Sequence, residues 1–542
     1  MKTSRNTRNQ TEKPKKLKNR NIIPRFVQEK LAITVLVIML ALFLLGVRLY
    51  SIIDSKNDEY TKIVLSQRST YDSRTIPYRR GDIVDRNGTY LATSEQVFYV
   101  ILDPAQMGIK DGDERYLQTT VDALSEYFGY DAADLKQVIT RNPESSYIRY
   151  DKQIPYEQKI EFENKKSEIN TANYKAGKDE RVKGVWFEPE YKRVYPYNNL
   201  ACNLIGFASS DGTTGSGGME QYYNDSLIGT NGREYGYLND DSNMETVVKD
   251  AENGNTIMST IDVNIQKMVE KRIEQWKTEV GSKQIGVVVM DPSNGEILSM
   301  ATDKTYDLNN PRDLSSMYTQ EEQDAMSDEE KANAWNQMWR NFCVSDTFEP
   351  GSPSKVLTVS AALEENLVTP NTHFFCDGYQ TIAGYNVKCT AFQKGGHGDL
   401  ALDETLMVSC NDAMMQIGRL EGIMMFSNYI RKFGFGTKTG IDLPGESSCD
   451  KLMYEPDTMT DTDLAISSFG QGSNVTMIQL ASAFSSIING GTRVTPHFGV
   501  SVQDADGNTV KTFSYETHEN ICTAETSETM RYLLEKVVSE GT

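Results

Sequence analysis

Residues 31–47, LAITVLVIMLALFLLGV, carry no charged side chain, and the apolar run extends through Arg48-Leu49-Tyr50 to Ile52-Ile53. With snorkelling flanks it crosses a hydrocarbon core of ~30 Å, so the pattern predicts a transmembrane helix over 31–53. The run exceeds the ~7–15 apolar residues of a signal peptide, and no A-x-A-like site follows it. Beyond it the periods shorten. YRRGDIVDRNGTYLATS (Tyr78–Ser94) alternates around Asp85-Arg-Asn-Gly88 and predicts a hairpin. From Asp111 to Lys178 the pattern turns helical and strongly polar, extended sequence resumes at Trp186, and GTTGSGG (Gly212–Gly218) marks a loop. After Gly254, TIMSTIDVNIQKMVEKRIEQW predicts a strand and then a helix capped by Asp262, and QIGVVVMDPSNGEILSMAT predicts a second hairpin across Pro292–Gly295. Strand, helix and hairpin together predict an antiparallel sheet backed by helices, with a domain boundary between Glu245 and Gly254.

A chain of 542 residues is too long for one core and predicts two or three domains. Residues 1–30 hold ten Lys or Arg against Glu12 and Glu29, a local +8 that leaves −28 for the remainder of a chain at −20. A basic tail before the apolar run and an acidic body after it place the N-terminus in the cytosol and everything after about residue 54 outside. The acidic body argues against nucleic acid as a partner, since phosphate binding needs a basic face. All seven cysteines, Cys202, Cys343, Cys376, Cys389, Cys410, Cys449 and Cys522, fall on the outer side, and the odd number leaves at least one thiol unpaired. Their scatter without a CxxC argues against a metal knuckle and against a small disulfide scaffold. Cys376 and Cys389 flank a Gly-rich turn, and their pairing stays open.

The chemistry concentrates in DTFEPGSPSKVLTVSAALEENLV, Asp346–Val368. Pro350-Gly351 leads into Ser352, with Pro353 tolerated in the first turn of an apolar helix. Ser352 and Lys355 then lie i and i+3 on one face, where the lysine amine reaches the serine Oγ. A desolvated lysine can take the proton of a serine alcohol, and the helix dipole favours the developing alkoxide. A second element, LMVSCNDAMMQIGRL, puts Ser409-Cys410-Asn411 at the start of a helix whose Met414, Met415 and Ile417 face a core. Ser409 is placed to relay the proton and the Asn411 amide to hold a peptide substrate. An isolated SxxK or SxN more often marks only a capped helix; the flanking EPG and the second element raise the pair above that. Only four histidines and no G-x-S-x-G elbow argue against a Ser-His-Asp hydrolase, and His397 in GGHGDL reads as a turn residue. No HExxH, spaced Cys/His set or GxxxxGK[ST] points to a metal, a nucleotide or any other cofactor, and none is expected.

SDTFEPGSPSK, SCN, KTGIDLPGE and FGQGSNVTMIQLASAFSSIINGG, in that order, resemble the class B penicillin-binding proteins, serine transpeptidases of the bacterial cell wall. RRGDIVDRNGTYLA, RVYPYNNLACNLIGF and GMEQYYNDSLIGTNG are similar to that family's N-terminal pedestal, and STIDVNIQ and VVVMDPSNGEILSMA to the opening of its transpeptidase domain. The resemblance implies an α/β (α+β) fold: a cytosolic tail over 1–30, a membrane anchor over 31–53, a β-rich pedestal or dimerisation domain over 54–250, and a transpeptidase domain over 251–542. It implies Ser352 as nucleophile toward D-Ala-D-Ala stem peptides of peptidoglycan, Lys355 as base, and Ser409 with Asn411 supporting proton transfer and substrate placement. β-Lactams should acylate Ser352. A single-pass cell-membrane protein with its catalytic domain outside, working beside a membrane glycosyltransferase of wall synthesis and able to form a homodimer, completes the expectation.

Lys438-Thr439-Gly440 matches the family's third motif in letters alone. It follows Asn411 by only 27 residues and runs into IDLPGE, so it reads as a structural loop, and the catalytic KTG is expected to be missing from a C-terminally incomplete domain. Two readings remain: a D,D-transpeptidase, or a scaffold of the same lineage that docks wall-synthesis partners.

Overall fold

The computed structural model describes residues 30, 39–48, 73–109, 114–238 and 244–541. The expected span over 31–53 lies largely outside them; its described part, 39–48, is helical with exposed apolar side chains. Among the described residues no helix is long and apolar enough to cross a membrane. The chain divides into two compact units. The smaller covers residues 1–74 and 233–248, and its described residues include most of a three-stranded sheet in the order Ser73–Ile76, Gly232–Leu238, Met244–Lys249.

The larger unit, 75–232 and 249–542, is a mixed α/β body around a seven-stranded sheet. The strand Tyr90–Leu102 pairs antiparallel with Ile148–Pro155, with Val185–Val194 and with the short strand Ile83–Val84. Asp85 makes the turn of that last hairpin, its Oδ1 accepting the N–H groups of Asn87 and Thr89. Thr256–Ser259 extends the sheet, parallel to Ile83–Val84 and antiparallel to Gly499–Gln503. Strands from both sides of residue 250 thus share one hydrogen-bonded ladder, a long-range pairing that local pattern does not reveal. The second hairpin, Gly286–Met290 with Ile297–Thr302, is a two-stranded sheet that helix Val263–Glu279 backs. That helix is capped as expected, Asp262 accepting from the N–H groups of Asn264 and Ile265.

One buried carboxylate ties three separate sequence segments together. Glu220 is wholly buried and accepts from Arg80 at 2.8 Å, from Arg193 at 2.7 Å and from the Tyr195 hydroxyl at 3.1 Å. Burial works to raise its pKa, but the two guanidinium groups outweigh it and hold the carboxyl below its ordinary value. Arg193 also donates to the Gly81 carbonyl at 2.7 Å, so YRRGD, RVYP and GMEQ close on one point. A buried charge is tolerated only when paired and hydrogen-bonded in this way.

The segment carrying Ser352 is held by another loop, Phe469–Val475. Phe348 and Val475 exchange two backbone hydrogen bonds of 3.0 Å, Glu349 accepts the Gly472 N–H at 2.8 Å, and Gly351 donates its N–H to Gly470 at 2.9 Å. Gly470 has φ +90°, and a Cβ there would lie 2.0 Å from the Gly351 oxygen. Its lack of a side chain therefore lets the two turns meet beside Ser352. Gly445 has a similar φ of +84° with open space around it. Gly470→Ala is accordingly expected to lower the unfolding free energy by about 1–3 kcal/mol more than Gly445→Ala, since it adds overpacking to the shared backbone strain. Paired urea denaturation curves measure the difference, and equal losses would rule out the close-approach argument.

Candidate active site

Pro350-Gly351 hands the chain to a 3-10 turn, Ser352–Ser354, that continues into helix Lys355–Glu364. Seven of the eight residues from Val356 to Leu363 are buried, so the helix is a core element with its first turn at the surface. Ser352 is exposed at that surface while Lys355, one turn on, is only 2% exposed. The other half of the site comes from the junction of helices Leu402–Met407 and Asn411–Lys432. Cys410 donates its N–H to Thr405 and Ser409 to Leu406, the closing pattern of a helix that ends in a left-handed residue. Ser409 is that residue, with φ +50°, where glycine is the ordinary occupant. The strained backbone turns both the carbonyl and the hydroxyl of Ser409 toward Lys355.

Lys355 Nζ consequently has three oxygens at 2.7 Å: the Ser409 carbonyl, the Ser409 hydroxyl and Asn411 Oδ1. Ser409 Oγ in turn lies 2.9 Å from Ser352 Oγ. The direct contact of Lys355 with Ser352 expected from their i, i+3 spacing is replaced by this relay, because the amine, buried away from water, turns inward to the oxygens of Ser409 and Asn411. Burial pulls the Lys355 pKa down to about 8, with Cys410 and Cys389 acting against the shift.

The arrangement is switchable. Two of the oxygens around Nζ, a backbone carbonyl and an amide carbonyl, only accept; the third, a hydroxyl, also donates. As an ammonium, Lys355 donates to all three and Ser409 donates onward to Ser352. As a neutral amine it keeps its two N–H groups on the two carbonyls and turns its lone pair to Ser409, and the chain of donation reverses: Ser352 to Ser409 to Lys355. The arrangement can thus pass a proton between the exposed serine and the buried amine without a rearrangement of heavy atoms. The N–H of Ser352, at the helix start, has no intrahelical acceptor.

Lys438-Thr439-Gly440 lies in a loop rather than a strand. The Thr439 N–H and hydroxyl donate to Glu446 at 2.6 and 2.7 Å, and the Gly440 N–H donates to it at 3.2 Å. Two features went unread in the sequence. One is the Gly470 contact, whose signal was the doubled glycine of FGQG. The other is the cysteines, scattered along the chain but not in space: the side chains of Cys376, Cys389, His397 and Cys410 meet, with all four ligand atoms within 4.8 Å of one another. Scatter along the chain is therefore no guide to their placement in space, and glycines close to Cys376 and His397 were the available signal.

Residues 75–259 match the family described as penicillin-binding protein dimerisation domain, and 285–542 the penicillin binding protein transpeptidase domain. Stage V sporulation protein D of Bacillus subtilis is 31% identical over 520 residues, covering 93% of this chain and 73% of that one. The peptidoglycan D,D-transpeptidase MrdA of Acinetobacter baumannii is 25% identical over 475 residues, covering 81% of this chain and 64% of that one. The crystal structure of penicillin binding protein 3 from Mycobacterium tuberculosis, complexed with aztreonam, shares the fold with a TM-score of 0.58 at 22% identity, covering 86% of this chain and 76% of that one. Domain content, the extent of the match and the shared fold agree: the chain belongs to the class B penicillin-binding proteins.

Proposed function

We propose that this chain crosslinks peptidoglycan by serine acyl transfer. Neutral Lys355 accepts the Ser352 proton through Ser409 while Ser352 Oγ attacks the penultimate D-Ala carbonyl of a stem peptide. The peptide bond to the terminal D-Ala breaks, and its nitrogen takes the proton back along the same relay. An amine of a neighbouring strand then attacks the ester carbonyl, giving up its proton to the relay as Ser352 is released. The Ser352 N–H faces the developing oxyanion, and the Asn411 amide N–H₂, left over by its bond to Lys355, faces the substrate backbone. The observation that carries this reading is the hydrogen-bonded path from exposed Ser352 through Ser409 to buried Lys355. The D,D-transpeptidase relative and the aztreonam complex of a protein of the same fold support the substrate class and β-lactam acylation. The basic residues 1–30 and the uncharged run 31–47 support a single-pass anchor with the site on the outer face, beside a membrane glycosyltransferase. The match to a dimerisation domain supports a homodimer.

A fluorescent penicillin tests the nucleophile. The wild-type chain is expected to take up one covalent label, and Ser352→Ala, with an unchanged circular dichroism spectrum, none; a folded wild type that stays unlabelled leaves only a docking role.

The relay and the strain at Ser409 separate in a second pair of variants. Ser409→Ala and Ser409→Gly are both expected to slow acylation by roughly 10²–10⁴-fold, the range for loss of a proton-transfer group. The glycine variant is expected to be more stable than the alanine variant by about 1 kcal/mol, because it meets φ +50° without a Cβ. Equal stabilities would remove the strain argument, and unimpaired acylation would remove the relay.

Acylation is expected to rise with pH and level off above about 8, because the base is the neutral amine of Lys355, whose pKa burial lowers to about that value. Stopped-flow acylation rates across the range read this directly; a profile flat from about pH 6 to about pH 9 excludes Lys355 as the base.

A further inference from the structure

We propose that Cys376, Cys389, His397 and Cys410 form a structural zinc(II) site directly behind the Ser409–Asn411 segment. Tetrahedral zinc with bonds of ~2.3 Å to sulfur and ~2.0–2.1 Å to nitrogen has edges of about 3.8 Å between sulfurs and about 3.5–3.6 Å between sulfur and nitrogen. The structure places Cys389 Sγ 3.9 Å from Cys410 Sγ, and His397 Nδ1 3.6 Å from Cys376 Sγ and 3.7 Å from Cys389 Sγ. Three edges of the tetrahedron are therefore present at nearly their coordinated lengths. Three thiols and an imidazole are a soft set that suits zinc, and four protein ligands leave no open position, which makes the site structural rather than catalytic.

Local geometry supports the assignment. Strand His373–Cys376 pairs with Gly398–Ala401 so that Cys376 faces Gly398, which brings His397 to the same end of the ladder. Cys389 follows the hairpin Tyr379–Ile382 with Tyr385–Lys388, and its N–H donates to Gly378 at 2.8 Å. Gly396, with φ +94°, approaches so closely that a Cβ would lie 2.1 Å from the Cys376 oxygen. Backbone N–H groups face each sulfur: Gly378 and His397 at Cys376, Ala391 and Asp412 at Cys389, Ala413 at Cys410. Such donors favour the deprotonated sulfur that a metal requires, and each thiol releases its proton to solvent on binding.

The bland alternatives fit less well. Buried cysteines often pack as small hydrophobes, but that gives no reason for an imidazole nitrogen to face two of them. A disulfide needs sulfurs at ~2.05 Å and engages only two of the four groups. The module 373–401 also needs a staple, since its buried apolar residues besides the two cysteines are only Phe374, Ala391 and Leu400, while Phe375 and Tyr385 are exposed. Its fourth ligand is the middle residue of Ser409-Cys410-Asn411, so a metal there fixes the backbone that presents three oxygens to Lys355.

The full chain, purified in detergent without chelator, is expected to hold one zinc by plasma mass spectrometry. Cobalt(II) exchanged into it is expected to give thiolate charge-transfer and tetrahedral d–d bands. Cys376→Ser and His397→Gln should each weaken zinc binding by more than the roughly 10–100-fold typical of losing an outer-shell partner, while Cys202→Ser and Cys522→Ser leave the stoichiometry unchanged. A cooperatively melting wild type with no zinc and no cobalt bands overturns the proposal, as does a disulfide among Cys376, Cys389 and Cys410 in a non-reducing peptide map. If the ligand variants fail to fold, the wild-type metal content and cobalt spectrum decide alone. Both readouts are independent of acylation, so they stand or fall separately from the transpeptidase reading.

Discussion

A lysine amine cut off from water must find its hydrogen-bond acceptors inside the protein, and Lys355 finds all three on two residues, Ser409 and Asn411. Leaving such a group buried and unpaired costs several kcal/mol. The geometry of the 409–411 segment is therefore as much a condition of folding as of chemistry. It explains why a serine holds a left-handed position that glycine fills more cheaply: glycine supplies the carbonyl but no hydroxyl. The same burial depresses the amine to a pKa at which its neutral form is accessible, so one constraint sets both the geometry around the amine and its protonation.

The partner constraint lies on the serine side. Ser352 is exposed, so its position is fixed by backbone, through Phe348, Glu349 and Gly351 to the loop Phe469–Val475. Behind it Thr358 donates to the Ser468 carbonyl at 2.9 Å, anchoring the helix to the residue just before that loop. The relay thus spans two supports of different kinds, a polar cluster under Ser409 and a glycine contact under Ser352. The Glu220 cluster applies the first kind elsewhere in the larger unit, with two guanidinium groups and a tyrosine sharing one carboxylate. In each case a buried ionisable group is held by several hydrogen bonds from different segments of the chain.

Elements encoded by local pattern were legible in the sequence. The hairpins at Asp85–Gly88 and Pro292–Gly295, the Asp262 cap and the helix starts at Ser352 and Asn411 each follow from a few adjacent residues. Two short motifs carry Ser352, Lys355, Ser409 and Asn411, which the fold brings into contact, although spacing within a motif did not disclose that Lys355 turns toward Ser409 rather than Ser352. What stayed hidden depends on distant segments meeting. Strand Thr256–Ser259 joins Ile83–Val84 and Gly499–Gln503 across the boundary that composition suggested. Cys376, Cys389, His397 and Cys410 are separated by intervals that belong to no short metal motif, and only the pairing of two hairpins with a helix start brings them together.

The tripeptide Lys438-Thr439-Gly440 illustrates how hydrogen-bond accounting separates letters from function. A strand that lines an acyl-transfer site must leave its backbone donors free for substrate. Here the Thr439 N–H, its hydroxyl and the Gly440 N–H all converge on Glu446, seven residues on in the same loop. Two residues past Gly440, the buried carboxylate of Asp442 accepts the N–H groups of Phe498 and Gly499 and the hydroxyls of Tyr223 and Tyr515. The loop is thus closed on itself at one end and tied to the Gly499–Gln503 strand at the other. With its donors engaged, the tripeptide holds that loop together, and the residues that decide this are Glu446 and Asp442, which lie outside the three letters that suggest catalysis.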